Sequence, residues 1–187
     1  MKKVSVLVSD LKIALEDLGK KEVTIIDILA VINKLDSQAK EKSDEIILVV
    51  DYSRTFQKMI DAGNYGWVND YIIEKNFPIP EKLKIKKAEI STKLFHFNYN
   101  ISSKDLITEM DKTGYRPGTL LELLALGESH PELQKEFTIV ALGSIWRDTR
   151  DRFGVPALSF VGNRRGLFLF WISRGFFNDY RFLGVYK

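Results

Sequence analysis

The sequence contains no cysteine, which excludes disulfides, thiolate zinc sites and cysteine nucleophiles at once. Histidine is scarce: His96 and His130 are the two that occur. No HExxH, no paired His–Asp ligand set and no Ser–His–Asp order stands out around them. His96 falls in an alternating stretch, where a hydrogen-bonded structural role fits. His130 precedes Pro131 at a helix junction and reads as a surface or capping group. No apolar run approaches ~20 residues, so no membrane span is expected. The opening "MKKVSVLVSDLKIALEDLG" has an apolar run but no small-residue cleavage site, and Asp10, Lys12, Glu16 and Asp17 follow at once. A cytoplasmic chain is expected, with surface display through a partner left open. A strong charge imbalance is missing too: the net charge of +3 is too small to demand nucleic acid.

The "GNRRG" stretch, residues 162–166, lacks the spacing and the following helix of a phosphate loop. "WVND", Trp67 to Asp70, carries an Asn-Asp pair of the sort calcium lectins use, but carboxylates near it are sparse. Glu122, Glu128, Asp148 and Asp151 could serve as acid and base, yet nothing in the sequence brings two of them together. Neither an enzyme, nor a metal, nor a cofactor is expected.

What is present fits an ordinary globular protein. The 187 residues are 45% hydrophobic and 28% charged, enough to bury a core without staples. Val4, Leu7, Leu11, Leu15 and Leu18 recur at helical spacing, and Gly19 stops the run. A second helix is predicted from Thr24, with Ile25, Ile28, Leu29, Ile32 and Leu35 as its stripe. Residues 1–44 therefore read as a helical hairpin ending in the polar "DSQAKEKSDE". It either packs on the main domain or serves oligomerisation or docking.

Residues 45–187 read as the main domain. "EIILVVDYS" is a strand, and Ser53 is expected to cap the helix "RTFQKMIDAG". "KAEISTKLFHFNYN" alternates as a strand. Ser102 with Asp105, and Thr119 with Glu122, form capping-box patterns ahead of two further helices. "FTIVALGSIW" is predicted to be a buried strand, followed by "FGVPALSFV", "GLFLFW" and "YRFLGVYK". Strands and helices in this order make an α+β pattern.

The tail is the unusual part. Its charged residues are mostly Arg, interleaved with aromatics, and aromatic and Arg side chains supply most of the hot-spot energy at interfaces. In "FLFWISRGFFNDY" both parities are bulky, so one face of that strand is expected to be exposed or to line a pocket.

The run from "VVDYSRTFQKMIDAGNYGWVN" through "GYRPGTLLELLALGE" to "RFLGVYK" resembles the variable proteins of diversity-generating retroelements, of archaeal and candidate-phyla type. Within it, "GYRPGTLLELLALGE" is similar to the G-x-R-x-P-T segment of the formylglycine-generating-enzyme branch of the C-type lectin fold. The resemblance covers residues 46 to 187 and leaves out the hairpin. It implies an α+β, C-type lectin-like fold with antiparallel strands and two helices, and a variable region at about 141–187. It implies that error-prone copying of a template rewrites a ligand-binding surface. "ALGSIW", Val155, Pro156, Leu158, Arg165, Leu167, Leu169 and "RFLGV" would be framework. Ser159, Phe160, Asn163, Arg164, Phe168, Phe170, Trp171, Ile172, Ser173, Arg174, Phe176, Phe177, Asn178, Asp179 and Tyr180 would be the displayed, ligand-binding set. The cysteine chemistry of the enzyme branch does not carry over, and neither does calcium-mediated sugar binding, because no Glu-Pro-Asn or Gln-Pro-Asp motif is present.

The ligand expected is an unidentified protein or other macromolecule, bound by a monomer. The alternative is a single-stranded nucleic-acid-binding protein using Arg147, Arg150, Arg152, Arg164, Arg165, Arg174 and Arg181 beside the aromatics. A structural subunit with the aromatic tail as oligomer interface, and a small enzyme, are the remaining readings.

Overall fold

The computed structural model describes residue 26, residues 28–34, residues 45–84 and residues 86–187. The chain divides into two compact units, Met1–Asp44 and Glu45–Lys187. In the first unit the described residues are helical, within the second predicted helix. Ile26, Leu29 and Ile32 are exposed there. The first predicted helix and the polar linker lie outside the described residues.

The second unit is mixed α+β. Its strands are β1 (Glu45–Asp51), β2 (Trp67–Val68), β3 (Lys87–His96), β4 (Tyr115–Pro117), β5 (Ile139–Val140), β6 (Trp146–Arg147), β7 (Phe153–Val161), β8 (Arg164–Trp171) and β9 (Arg181–Tyr186). Its helices are α1 (Phe56–Ala62), α2 (Ser103–Lys112), α3 (Leu120–Ser129) and the single turn α4 (Leu133–Glu136). Two of them, α2 and α3, are ten residues long; α1 lies in the segment read as a helix from the sequence, one more than the two of the lectin-like pattern, and α4 is additional. The strands form one open sheet in the order β1-β3-β9-β5-β7-β8-β2, with β4 beside β9 and β6 beside β7. Most pairs are antiparallel, but β5 runs parallel to β9 and β2 parallel to β8. The closing strand β9 lies inside the sheet, antiparallel to β3, and so meets β5 running the same way.

The caps follow local chemistry. Ser102 Oγ accepts from the Asp105 N–H at 3.2 Å at the start of α2. Thr119 and Glu122 close a full capping box on α3. Ser53, by contrast, does not cap α1. Its hydroxyl donates to the Asp51 carboxylate and turns the chain out of β1, while Thr55 accepts from the Lys58 N–H. A side chain two residues from a strand-end carboxylate finds that partner first.

The sheet separates two cores. Alternate residues go to opposite faces of a strand. Ile139, Leu158 and Leu183 join a core with Leu48, Val50, Met59 and the leucines of α3. Their neighbours Val140, Ala157 and Phe182 join a second core with Leu106 and Met110 of α2. Each fully buried Leu or Phe contributes about 1.5–3 kcal/mol. Both faces being covered explains the near-continuous apolar runs in the tail. Of the two outcomes expected for β8, exposure or a pocket lining, the strand end shows the second: Leu169 packs on the first core and Phe170 on the second, and both, with Trp171, line a cleft. "FTIVALGSIW" is not one strand. Ile139–Leu142 is buried, but the chain then turns. The Gly143 N–H donates to the Gly118 carbonyl, and pairing resumes at β6.

Tyr65 locks α1 to α3. Its ring lies over Gly63 and Gly127, so that a Cβ on Gly127 would sit 2.1 Å from the Tyr65 hydroxyl. That hydroxyl is buried without a partner among the described residues. Gly127→Ala is expected to cost about 1–3 kcal/mol through overpacking, despite the better helix propensity of Ala. Adding Tyr65→Phe should recover part of the loss by removing the clashing oxygen. Urea denaturation of the single and double variants checks this. Among the described residues no helix is long and apolar enough to cross a membrane.

Candidate binding surface

The tail is organised around the β7–β8 hairpin, which pairs Gly154 with Trp171 at one end and Val161 with Arg164 at the other. Gly162 and Asn163 form its two-residue turn. Gly162 sits at the first central position with φ +66°, where this hairpin turn needs a positive φ. "GNRRG" is thus a reversal. Beyond β8, a single turn at Ile172–Arg174 and Gly175, at φ +66°, swing the chain into the loop before β9. That loop is pinned twice: Phe176 bridges to Ile101, and the His96 Nε2 lies 2.8 Å from the Asn178 carbonyl oxygen.

A row of rings crosses this region. Trp67, Phe168, Phe170, Tyr180 and Phe177 follow one another at centroid spacings of 4.6, 6.1, 5.7 and 5.7 Å. Trp67 and Phe177 at its ends are 45% and 58% exposed. Phe170, Trp171, Phe177 and Tyr180 line a cleft of about 260 Å³ at the end of β8. Burial pushes the Tyr180 phenol up, and the neighbouring Asp179 adds to it.

A second stack runs Tyr71, Trp146, Trp171, at 4.5 and 6.0 Å. The Arg152 guanidinium lies 4.2 Å over Trp171. Asp148 sets that arginine: its carboxylate accepts from the backbone N–H groups of Arg150 and Arg152, each at 2.8 Å, and from Arg152 Nε at 2.7 Å. Burial alone would raise the Asp148 carboxyl, but these bonds outweigh it and hold it below the ordinary value. A depressed carboxyl stabilises the fold above the unfolded pKa of about 4, and that contribution is lost as pH falls through the lower, folded value. Tryptophan fluorescence is therefore expected to change below about pH 4 as Arg152 leaves Trp171. The change should be missing in Asp148→Asn, where the loop is already loosened.

The displayed set divides in the structure. Phe160, Asn163, Arg164, Ser173, Phe177, Asn178 and Asp179 are exposed. Phe168, Phe170, Trp171, Ile172 and Tyr180 are half-buried, and Phe170, Ile172 and Tyr180 pack on the second core. Ser159 and Phe176 are buried, at 8% and 2% exposure. Ser159 faces inward because its hydroxyl bonds to that of Thr138 at 2.8 Å. Phe176 is held edge-on to Phe182 at 5.2 Å. Neither is displayed. Arg174 belongs to the turn after β8.

Of the framework set, Val155, Pro156, Leu158, Leu167 and the "FLGV" of β9 are buried. Arg165 holds three elements together. It donates to the carbonyls of Gly63 and Gly127 and to Gln134 Oε1, and its guanidinium lies 5.3 Å from the Tyr65 ring centre. Ile145, in "ALGSIW", is 55% exposed instead. Trp67 and Tyr71, roughly a hundred residues before β8, join the surface through the parallel β2–β8 pairing. No local pattern announces that contact.

The Asn69 side chain of "WVND" is already engaged, accepting from the Tyr71 N–H at 3.0 Å. Among the described residues no group of three or more His, Asp or Glu side chains is placed to hold a metal ion. His130 closes α3, with Nδ1 2.9 Å from Ser129 Oγ. Compared with protein-family models, with curated proteins and with solved structures, the chain matches none.

Proposed function

We propose that the chain is a ligand-binding protein that displays a retroelement-diversified surface, at about residues 141–187, on a C-type lectin-like framework. On this reading it binds and does not catalyse. The observation that carries the reading is the interleaving of closed and open positions within the tail. Val155, Ala157, Leu158 and Leu167 are at most 1% exposed, while Asn163, Arg164, Ser173, Asn178 and Asp179 between them and β9 are open. A segment built this way can change at many positions without touching its core, which rewriting of a tail requires. The closing strand inside the sheet and the Arg116–Thr119–Glu122 arrangement ahead of α3 support the lectin-like framework. Ser159 and Phe176 leave the displayed set and join the framework.

A saturation scan of residues 153–187, sorted for protease resistance, tests the division. Asn163, Arg164, Ser173, Phe177, Asn178 and Asp179 should accept nearly any residue. Val155, Leu158, Leu167, Phe176 and Phe182 should accept few. Uniform intolerance along the tail would remove the reading's support.

A further inference from the structure

The tail is the basic part of the chain. Arg147–Lys187 holds seven arginines and one lysine against three aspartates, an excess of five positive charges in a chain of net charge +3. Most of these cations are engaged. Arg147 pairs with Asp151 and Arg152 with Asp148, at 2.8 and 2.7 Å. Arg165 is bound to carbonyls, Arg181 lies 4.2 Å over Phe137, and Lys187 pairs with Asp111. Arg150 and Arg164 are exposed, and neither guanidinium has a partner among the described residues. They stand at opposite ends of β8. Arg164 begins the strand, its stem packed on Gly66 next to the exposed Trp67. Arg150 lies in the turn that places Arg152 over Trp171, where the strand ends. Eight residues of strand separate these ends by roughly 23 Å at ~3.3 Å per residue. Between them lie the ring row and the cleft.

The cleft, about 260 Å³, is smaller than the roughly 300–1,000 Å³ of small-molecule pockets and has room for one large side chain. The rings of the row lean on one another, so they offer edges more than open faces. Base stacking needs open faces, whereas ring edges carry partial positive charge and arginine forks match carboxylates. Asp179 opposes this only in part, since it lies beside Arg181.

We propose that this surface docks an acidic protein segment: one apolar side chain enters the cleft, and carboxylates on either side of it reach Arg150 and Arg164. The inference rests on the ligand-binding reading above and gives its partner a chemistry.

The test uses the full chain and three fluorescent probes: a Glu-rich nonapeptide with a central Phe, the same peptide with a central Ser, and an oligothymidine. The Phe peptide should bind about tenfold tighter than the Ser peptide, a difference of about 1.4 kcal/mol. Both should weaken about tenfold or more on raising NaCl from about 50 to 300 mM. The double variant Arg150→Ser/Arg164→Ser should lose about tenfold in affinity with Tm little changed, because neither guanidinium has a partner among the described residues. Phe177→Ser should erase the difference between the two peptides. Tighter binding of the oligothymidine than of the Phe peptide would overturn the inference in favour of nucleic acid. Absence of peptide binding, or indifference to the arginine changes, would overturn it outright. Peptide binding with a uniformly intolerant tail would leave the docking surface standing and remove diversification, so the two failures are told apart.

Discussion

Phe176→Ala is expected to destabilise the protein by about 3–5 kcal/mol, and Phe177→Ala by less than about 1 kcal/mol. The two residues are adjacent and chemically identical; only their surroundings differ. Phe176 is 2% exposed and packs in the second core with Phe182, Ile101 and Leu106. Its backbone bridges to Ile101, so truncation leaves a cavity that this tethered loop cannot readily close. Phe177 is 58% exposed, and its ring contact is edge-to-face with Tyr180 at 5.7 Å. Chemical denaturation of the two variants reads the difference directly. Equal losses would mean that the loop after β8 is packed differently.

The second large effect is at Glu122. Its carboxylate is 2% exposed and is enclosed by donors. The Thr119 N–H lies at 2.7 Å and the Thr119 hydroxyl at 3.0 Å. Arg116 donates through both terminal nitrogens, at 3.1 and 2.6 Å. The Tyr52 hydroxyl lies at 3.5 Å. Burial, reinforced by this carboxylate, pushes the Tyr52 phenol up to about 12, so it remains a donor at neutral pH. Glu122→Ala removes the helix cap, worth about 1 kcal/mol, and strands a guanidinium that was paired. Breaking a buried pair costs about 3–5 kcal/mol. Arg116 is 42% exposed, and solvent access moves the expected total toward about 3 kcal/mol. Glu122→Gln keeps an acceptor for the Thr119 N–H and should cost about half as much. A loss below about 1 kcal/mol for Glu122→Ala would show that the motif does not hold α3 to β4.

The local parts of the fold were legible because their causes are local. Thr119 and Glu122, or Ser102 and Asp105, announce a helix start at fixed spacing, and both helices begin there. The strands from β7 to β9 follow from apolar runs bounded by Gly162 and Gly175. What was not legible depends on distant partners. Ser53 prefers Asp51 over a capping role. Phe176 and Phe177 cannot be told apart until Ile101 and Phe182 are placed. Trp67 reaches Phe168 only after β2 has paired with β8, across about a hundred residues. The two bulky parities of β8 could be read as an exposed face or a pocket lining; helices and loops cover much of both faces of this sheet, and the strand end lines a cleft.

These features explain how a short tail could serve as a binding surface without endangering the fold. The two cores are made by consecutive buried residues of β7, β8 and β9 that point to opposite faces, and Arg165 binds the carbonyls at the ends of α1 and α3. The open positions collect at the hairpin turn, at the two ends of β8 and in the loop before β9. Changes there alter charge and ring pattern around the cleft and leave both cores in place.

The central claim, that this surface is rewritten, is tested most directly on DNA. Sequencing the few kilobases after the stop codon is expected to reveal a reverse-transcriptase gene and a near-copy of the gene's 3′ end. The copy should differ at adenines, in the codons of open residues such as Asn163, Asn178 and Asp179. Finding neither the near-copy nor a reverse-transcriptase gene would contradict the account and leave a binding surface of fixed sequence.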